Sequence, residues 1–257
     1  MQELSGLRGS ARRIYVYTSY IHNRLLRGFI AVSLILSALH SMIVVTGLPS
    51  IVTTQGGALF SLFAMTSLIY YMSIVYIAYS LAQELGEGPA TLYLSHPLGR
   101  GEYMVSWLIA GLVTTTVLYA TSILAPLLVM DIELLSTTHW EEALLPVLEG
   151  VLTGGVSFLT AVLTRRRGMT FFSGLIYLLL LPFALMIIRA ITWSTPPGGS
   201  KDAVSVFIEL TFAVLYPSKY YLMKRTTDFG HIAFTSFLLS CGFLLASIAY
   251  AKYKMEV

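Results

Sequence analysis

The side chains in this sequence that could do chemistry are few, and several sit inside long apolar runs. His40 lies well within the first run, Glu149 near one end of the fourth, and Arg189 at the end of the fifth. An ionisable group among apolar residues is costly to place in a membrane. Each therefore marks either a partnered structural position or a path for protons, ions or substrate. A neutral imidazole at His40 could relay a proton or touch a substrate, or it could simply hydrogen-bond a neighbouring helix. Glu149 and Arg189 could pair across two adjacent helices, which would be a structural role. Tyr70, Tyr71, Tyr76 and Tyr79 place hydroxyls in the second run. There they could line the path of an amphiphile or form an aromatic belt.

Other chemistry is sparse. The five histidines, His22, His40, His96, His139 and His231, fall on different segments without a His-Glu-x-x-His spacing. His139 stands among Asp131, Glu133, Glu141 and Glu142, which reads as a solvated acidic loop. The single cysteine, Cys241, permits neither an internal disulfide nor a cysteine metal cage. No Gly-x-Ser-x-Gly elbow is present. No Gly-x-x-x-x-Gly-Lys-Ser/Thr phosphate loop exists either, so ATP would have to act through another polypeptide. No catalytic, cofactor or metal site is expected in the chain.

The elements that must position these groups follow from composition. Apolar residues make up 56% of the 257 positions and charged residues 11%, against about 25% charged in a soluble domain. Six charge-poor runs cover about 28–48, 58–82, 103–130, 144–163, 169–188 and 230–251. Each is near the ~20 residues a helix needs to cross the hydrocarbon. Continuous apolarity at that length specifies helices rather than the alternating strands of a barrel. The expected fold is all-α, a polytopic membrane protein of six transmembrane helices. The first run is too long for a cleavable signal, and five more follow it.

Lysine and arginine set the expected orientation. Arg8, Arg12, Arg13, Arg24 and Arg27 precede the first run, Arg100 follows the second, Arg165, Arg166 and Arg167 follow the fourth, and Lys252 and Lys254 close the chain. All fall in alternate compartments, which places both termini in the cytoplasm of a multi-pass protein of the cell (plasma) membrane. The scattered short clusters argue against a nucleic-acid groove, which needs its basic residues on one face. The segment 189–229 carries Arg189, Lys201, Lys219, Lys224 and Arg225 yet falls outside by alternation. Long loops obey the charge rule poorly. Within it, Glu209 and Pro217 make 201–216 an interfacial or re-entrant helix rather than a seventh span.

The chain thus divides into a tail and elbow (1–27), a membrane domain (28–251) and a short tail (252–257). In the elbow, Ile14, Tyr17, Ile21 and Leu25 repeat at helical spacing against Arg12, Arg13, Asn23 and Arg24, as in a helix lying in the membrane interface. Ser33, Ser37 and Ser41 form a small-residue stripe suited to close packing, either as an oligomer face or inside one subunit. Between the second and third runs, Pro89 after Gly88 suits a helix start, and Pro97 ends the helix at His96. A separately capped helix of about two turns fits there and could dock into a partner.

The segment 84–102 also carries a resemblance. Glu84, Gly88, Leu92, Leu94, Ser95, Pro97, Leu98, Arg100 and Glu102 resemble, in order and spacing, the cytoplasmic segment of type-2 ABC transporter permeases. Gly99 stands where that family usually has serine, and Trp107 where a lysine commonly ends the motif. The Leu-Tyr-Pro-Ser run at 215–218 looks like the family's stretch before the final span. The resemblance implies the permease subunit of an ATP-driven exporter. A second permease copy or paralogue would complete the pathway, and a separate ATP-binding subunit would hold ATP and Mg. Gly86, Glu87, Gly88, Pro89, Leu92, Ser95, Pro97, Arg100 and Glu102 would then form the coupling surface, with Pro97, Arg100 and Glu102 its main determinants. Two alternatives stay open. An ion-coupled secondary transporter would use carboxylates near the membrane midplane. A non-transporting assembly protein would need no chemistry at all.

Overall fold

The structure is a computed structural model that describes residues 2–45, 58–87, 99–130, 140–194, 200–218, 220 and 229–254. Seven helices are defined there: α1 (Gln2–Val45), α2 (Ala58–Glu87), α3 (100–130), α4 (Trp140–Thr164), α5 (167–194), α6 (Ser200–Leu215) and α7 (Phe229–Lys254). Six are long and apolar enough to cross a membrane, and no strand occurs among the described residues. The chain is a helical multi-pass membrane protein.

The N-terminal region departs from expectation. The elbow and the first span form one uninterrupted helix of 44 residues. A lone glycine at the junction, Gly28, costs about 1 kcal/mol relative to alanine but does not break a helix. The amphipathic stripe is also not spread on lipid. Tyr17, Ile21 and Leu25 are buried, and the Tyr17 ring lies 5.2 Å from that of Tyr103 on α3. His22 meets Thr114 Oγ1 at 2.6 Å, and Ser106 Oγ donates to the Ile14 carbonyl at 3.3 Å. Burying three apolar side chains against a protein partner, each worth about 1.5–3 kcal/mol, fixes this region as a packed helix. At 1.5 Å per residue α1 is about 66 Å long, roughly twice the ~30 Å hydrocarbon. A substantial part of it must therefore stand outside the membrane.

Two of the spans each contain one wide turn. In α3 the α-helical stretches Arg100–Leu108 and Thr114–Met130 flank a π turn at Ile109–Val113. In α5, Arg167–Leu175 and Leu181–Ser194 flank another at Ile176–Leu180. A single inserted residue changes the face a helix presents beyond the turn. The apolar runs alone carried no sign of these turns.

Helices α2 and α4 occupy the centre: 56% of the apolar window of each is buried, against 11% for α1 and 17% for α7. The approach to α4 is close enough to require glycine. A Cβ at Gly150 would sit 2.3 Å from the Tyr70 ring of α2, and one at Gly154 2.3 Å from Leu112 of α3. Small residues four apart let helices meet this way in a membrane. The expected small stripe at Ser33, Ser37 and Ser41 is only half-buried, so the tightest packing lies on α4 instead.

Helix α6 has an apolar stretch of only Val206–Leu215, too short to cross. It packs on α5 and α7. Tyr177 donates to the Leu215 carbonyl at 2.8 Å, Tyr216 donates to the Tyr177 carbonyl, and Ser236 donates to the Val214 carbonyl at 2.7 Å. The bonds to Leu215 and Val214 satisfy carbonyls that the end of α6 would otherwise leave bare.

Candidate functional site

The expected pathway and coupling residues resolve into two separate places. The first is the end of the bundle that carries Arg13, Arg24 and Arg165 to Arg167. At its centre is Glu84 near the end of α2, whose side chain is fully buried. Arg24 Nη1 donates to its Oε2 at 2.6 Å, Tyr103 donates to its Oε1 at 3.0 Å, and Tyr17 donates to the same oxygen. One carboxylate thus ties α1, α2 and α3 together. A buried charge is tolerable only with such a full set of donors.

Glu102, in the first turn of α3, makes a second tie. Arg13 grips it with Nε at 2.9 Å and Nη2 at 2.6 Å, and Ser10 donates to Oε1. Glu102 also accepts the Gly99 backbone N–H at 3.0 Å, closing the helix start on itself. The Arg13 guanidinium, with Ser10 and the Gly99 amide, holds the Glu102 carboxyl well below the usual carboxylate range, at about 2. Arg100, beside it, is exposed.

Gly86 and Glu87 form a third contact. The carbonyl of Arg165, in the turn between α4 and α5, would lie 2.4 Å from any Cβ at position 86. Arg165 has φ 52°, the one positive-φ non-glycine among the described residues. Arg167 pairs with Glu87 at 3.2 Å, and Gln83 donates to Glu87 at 2.9 Å. Gly88, Pro89, Leu92, Ser95 and Pro97, and with them the expected two-turn helix, lie outside the described residues. Both roots of that segment are nevertheless held: one by Glu84, Gly86 and Glu87, the other by Glu102.

The second place is a polar layer inside the membrane-crossing helices. His40 is buried on α1, with Nδ1 3.0 Å from the Leu36 carbonyl and 3.1 Å from Ser122 Oγ of α3. Its ring meets Tyr119 edge-on at 5.7 Å, and Tyr119 stacks on Tyr70 at 4.6 Å. The Tyr70 hydroxyl is hydrogen-bonded to Thr116 Oγ1 at 2.8 Å. Glu149 is fully buried on α4 and accepts the Ser218 hydroxyl just beyond α6.

The structure therefore brings His40, Tyr70 and Glu149 into the buried interior. Tyr76 is turned outward, 56% exposed, with its ring stacked on Tyr79. The Arg189 side chain, and so the expected pairing with Glu149, lies outside the described residues. An apolar groove of about 370 Å³ between α1 and α2, lined by Leu25, Phe29, Val32, Met72 and Tyr76 among others, includes neither His40 nor Glu149. Among the described residues no three histidine, cysteine or acidic side chains converge to hold a metal. Sequence reasoning missed Tyr17, Arg24 and Tyr103 as partners of Glu84, because donors separated by 67, 60 and 19 positions leave no local pattern. No protein-family model matches the chain, and no curated protein matches it.

Proposed function

We propose that this chain is the permease subunit of an ATP-driven exporter, working with a second permease copy or paralogue and with a separate ATP-binding subunit that carries ATP and Mg. The residue pattern across 84–102 motivates the reading. The observation that carries it is the fixation of both roots of that segment. Glu84 binds α1 and α3, Glu87 binds the start of α5, and Glu102 binds α1. A push on a segment rooted this way is passed to four helices, whereas a loop with free roots would absorb it. In this reading the arginine-bearing end, with both termini, faces the cytoplasm, and the buried tyrosine-rich layer lies toward the far side. Tyrosines in an apolar frame suit an amphiphilic substrate.

The test is co-purification of an ATPase with the tagged chain, followed by ATP-dependent flux in reconstituted vesicles. Pro97→Ala combined with Arg100→Glu is expected to release the ATPase and abolish flux. Retention of both complex and flux would sink the coupling assignment.

A second reading, an ion-coupled secondary transporter, is favoured by the burial of Glu149 among hydroxyls. It requires flux that follows an ion gradient, survives ATP depletion and falls on Glu149→Gln. Vesicles that show neither kind of flux with any partner would leave an assembly protein.

A further inference from the structure

The turn between α4 and α5 has a use beyond orientation. It faces α2 across a pocket of about 240 Å³, whose walls include Gln83, Gly86 and Glu87 on one side and Arg165, Arg166 and Arg167 on the other. Among the described residues, charge in the pocket does not balance. Three guanidinium-bearing residues line it with one carboxylate, and Glu87 is engaged by Arg167 at 3.2 Å. Neither Arg165 nor Arg166 has a carboxylate partner among the described residues.

The backbone that carries these arginines is held in place. Arg165 donates its N–H to the Ala161 carbonyl at 2.9 Å, and its own carbonyl is seated on Gly86. Arg166 donates its N–H to Thr164 Oγ1 at 3.3 Å. Arginines that served only to orient the chain would need no cavity and no seat. The pocket also lies where two candidate crossing helices end and the next begins, and the ends of crossing helices meet the headgroup region. Basic pockets between membrane helices at that depth suit anionic headgroups, and the guanidinium fork suits phosphate oxygens in particular. The start of α5 at Arg167 adds the partial positive charge of a helix N-terminus.

We propose that this pocket binds a phosphate group, supplied by the headgroup of an anionic membrane phospholipid. A free phosphate anion shares the chemistry, and the experiment separates the two. The site is independent of any transport activity, because it needs neither the 88–98 segment nor a partner.

The purified full-length chain in neutral detergent is titrated with phosphatidylglycerol, phosphatidylcholine or inorganic phosphate, and retained lipid is counted by native mass spectrometry. Phosphatidylglycerol is expected to be retained in preference to phosphatidylcholine. Arg165→Gln with Arg166→Gln should weaken that retention roughly 30-fold, at the usual attraction of one basic side chain for an anionic headgroup counted twice. Arg166→Gln alone, at an exposed position, should weaken it about fivefold and keeps the test valid if the double variant does not fold. Arg12→Gln with Arg27→Gln removes the same charge from exposed positions of α1 and should leave retention unchanged. Equal retention of the two lipids, or equal loss in both double variants, would overturn the site. Inorganic phosphate bound where phosphatidylglycerol is not would overturn the lipid as its source.

Discussion

The arginine-bearing end and the buried layer around His40 solve the same problem with different groups. At the end, Glu84, Glu87 and Glu102 are each gripped by an arginine: Arg24, Arg167 and Arg13. In the layer, most of the visible bonds run between hydroxyls, an imidazole and carbonyls, as in Tyr70–Thr116 and His40–Ser122, and its one carboxylate, Glu149, accepts a hydroxyl from Ser218. A charge pair must offset the desolvation of both ions, and at this end each arginine keeps part of its side chain in contact with solvent. Neutral hydrogen bonds suit the interior and each stabilise by about 1 kcal/mol. The polar ties between helices are thus charged at one end and mainly neutral in the middle, where close packing at Gly150 and Gly154 does the rest.

Four variants test the contrast, each read by unfolding of the purified protein in detergent. Glu84→Gln should have the largest effect, about 3 kcal/mol, because it replaces a fully buried carboxylate that accepts from Arg24, Tyr17 and Tyr103 by a neutral amide that cannot satisfy all three donors. A loss no greater than that of a neutral hydrogen bond would erase the contrast. Gly86→Ala comes next, at about 2 kcal/mol, since its Cβ meets a backbone oxygen that cannot rotate away. Tyr70→Phe should cost about 1 kcal/mol, the same at low and high salt, because no charge is involved. Arg13→Gln should cost least, less than Tyr70→Phe, and less still in high salt, as a half-exposed arginine is the donor.

The last variant has a pH signature. The Glu102 carboxyl has a folded pKa of about 2, below its ordinary 4.5. A depressed carboxylate stabilises the fold above its unfolded pKa, and that contribution is lost as pH falls through the folded value. The difference between wild type and Arg13→Gln should be full above pH 4.5 and fade on acidification toward 2. A difference that grows on acidification would mean that Arg13 acts through packing instead.

Composition and run length made the six crossing helices and the all-α class legible in the sequence, because lipid demands long apolar segments and leaves little else. The subordinate helix at 200–215 was also legible, from Glu209 and Pro217. Three features were not. The unbroken α1 was hidden because an amphipathic stripe looks the same whether it meets lipid or protein, and Tyr17 and Ile21 meet α3. The π turns carry no local residue pattern that the apolar runs reveal, although Gly111 in the first lies tight against Phe158 of α4. Glu102 was read as a surface for a partner, yet its carboxylate is occupied by Arg13 and Ser10 of its own chain. Short-range periodicity carries no information about which of several arginines a given glutamate will meet.

The unbroken first helix has a mechanical consequence. Arg13 and His40 stand 27 positions apart on one rod, about 40 Å at the ordinary helical rise. The rod is pinned near one tip by Glu102 and, three turns on, by Glu84. A tilt of about 5° at the pinned tip would sweep the His40 end sideways by about 3.5 Å over that length. That is the width of one atom layer, enough to part the imidazole from Ser122. A helix of this length would act as a lever, turning a small rotation at the Arg13 end into the making or breaking of a contact at His40.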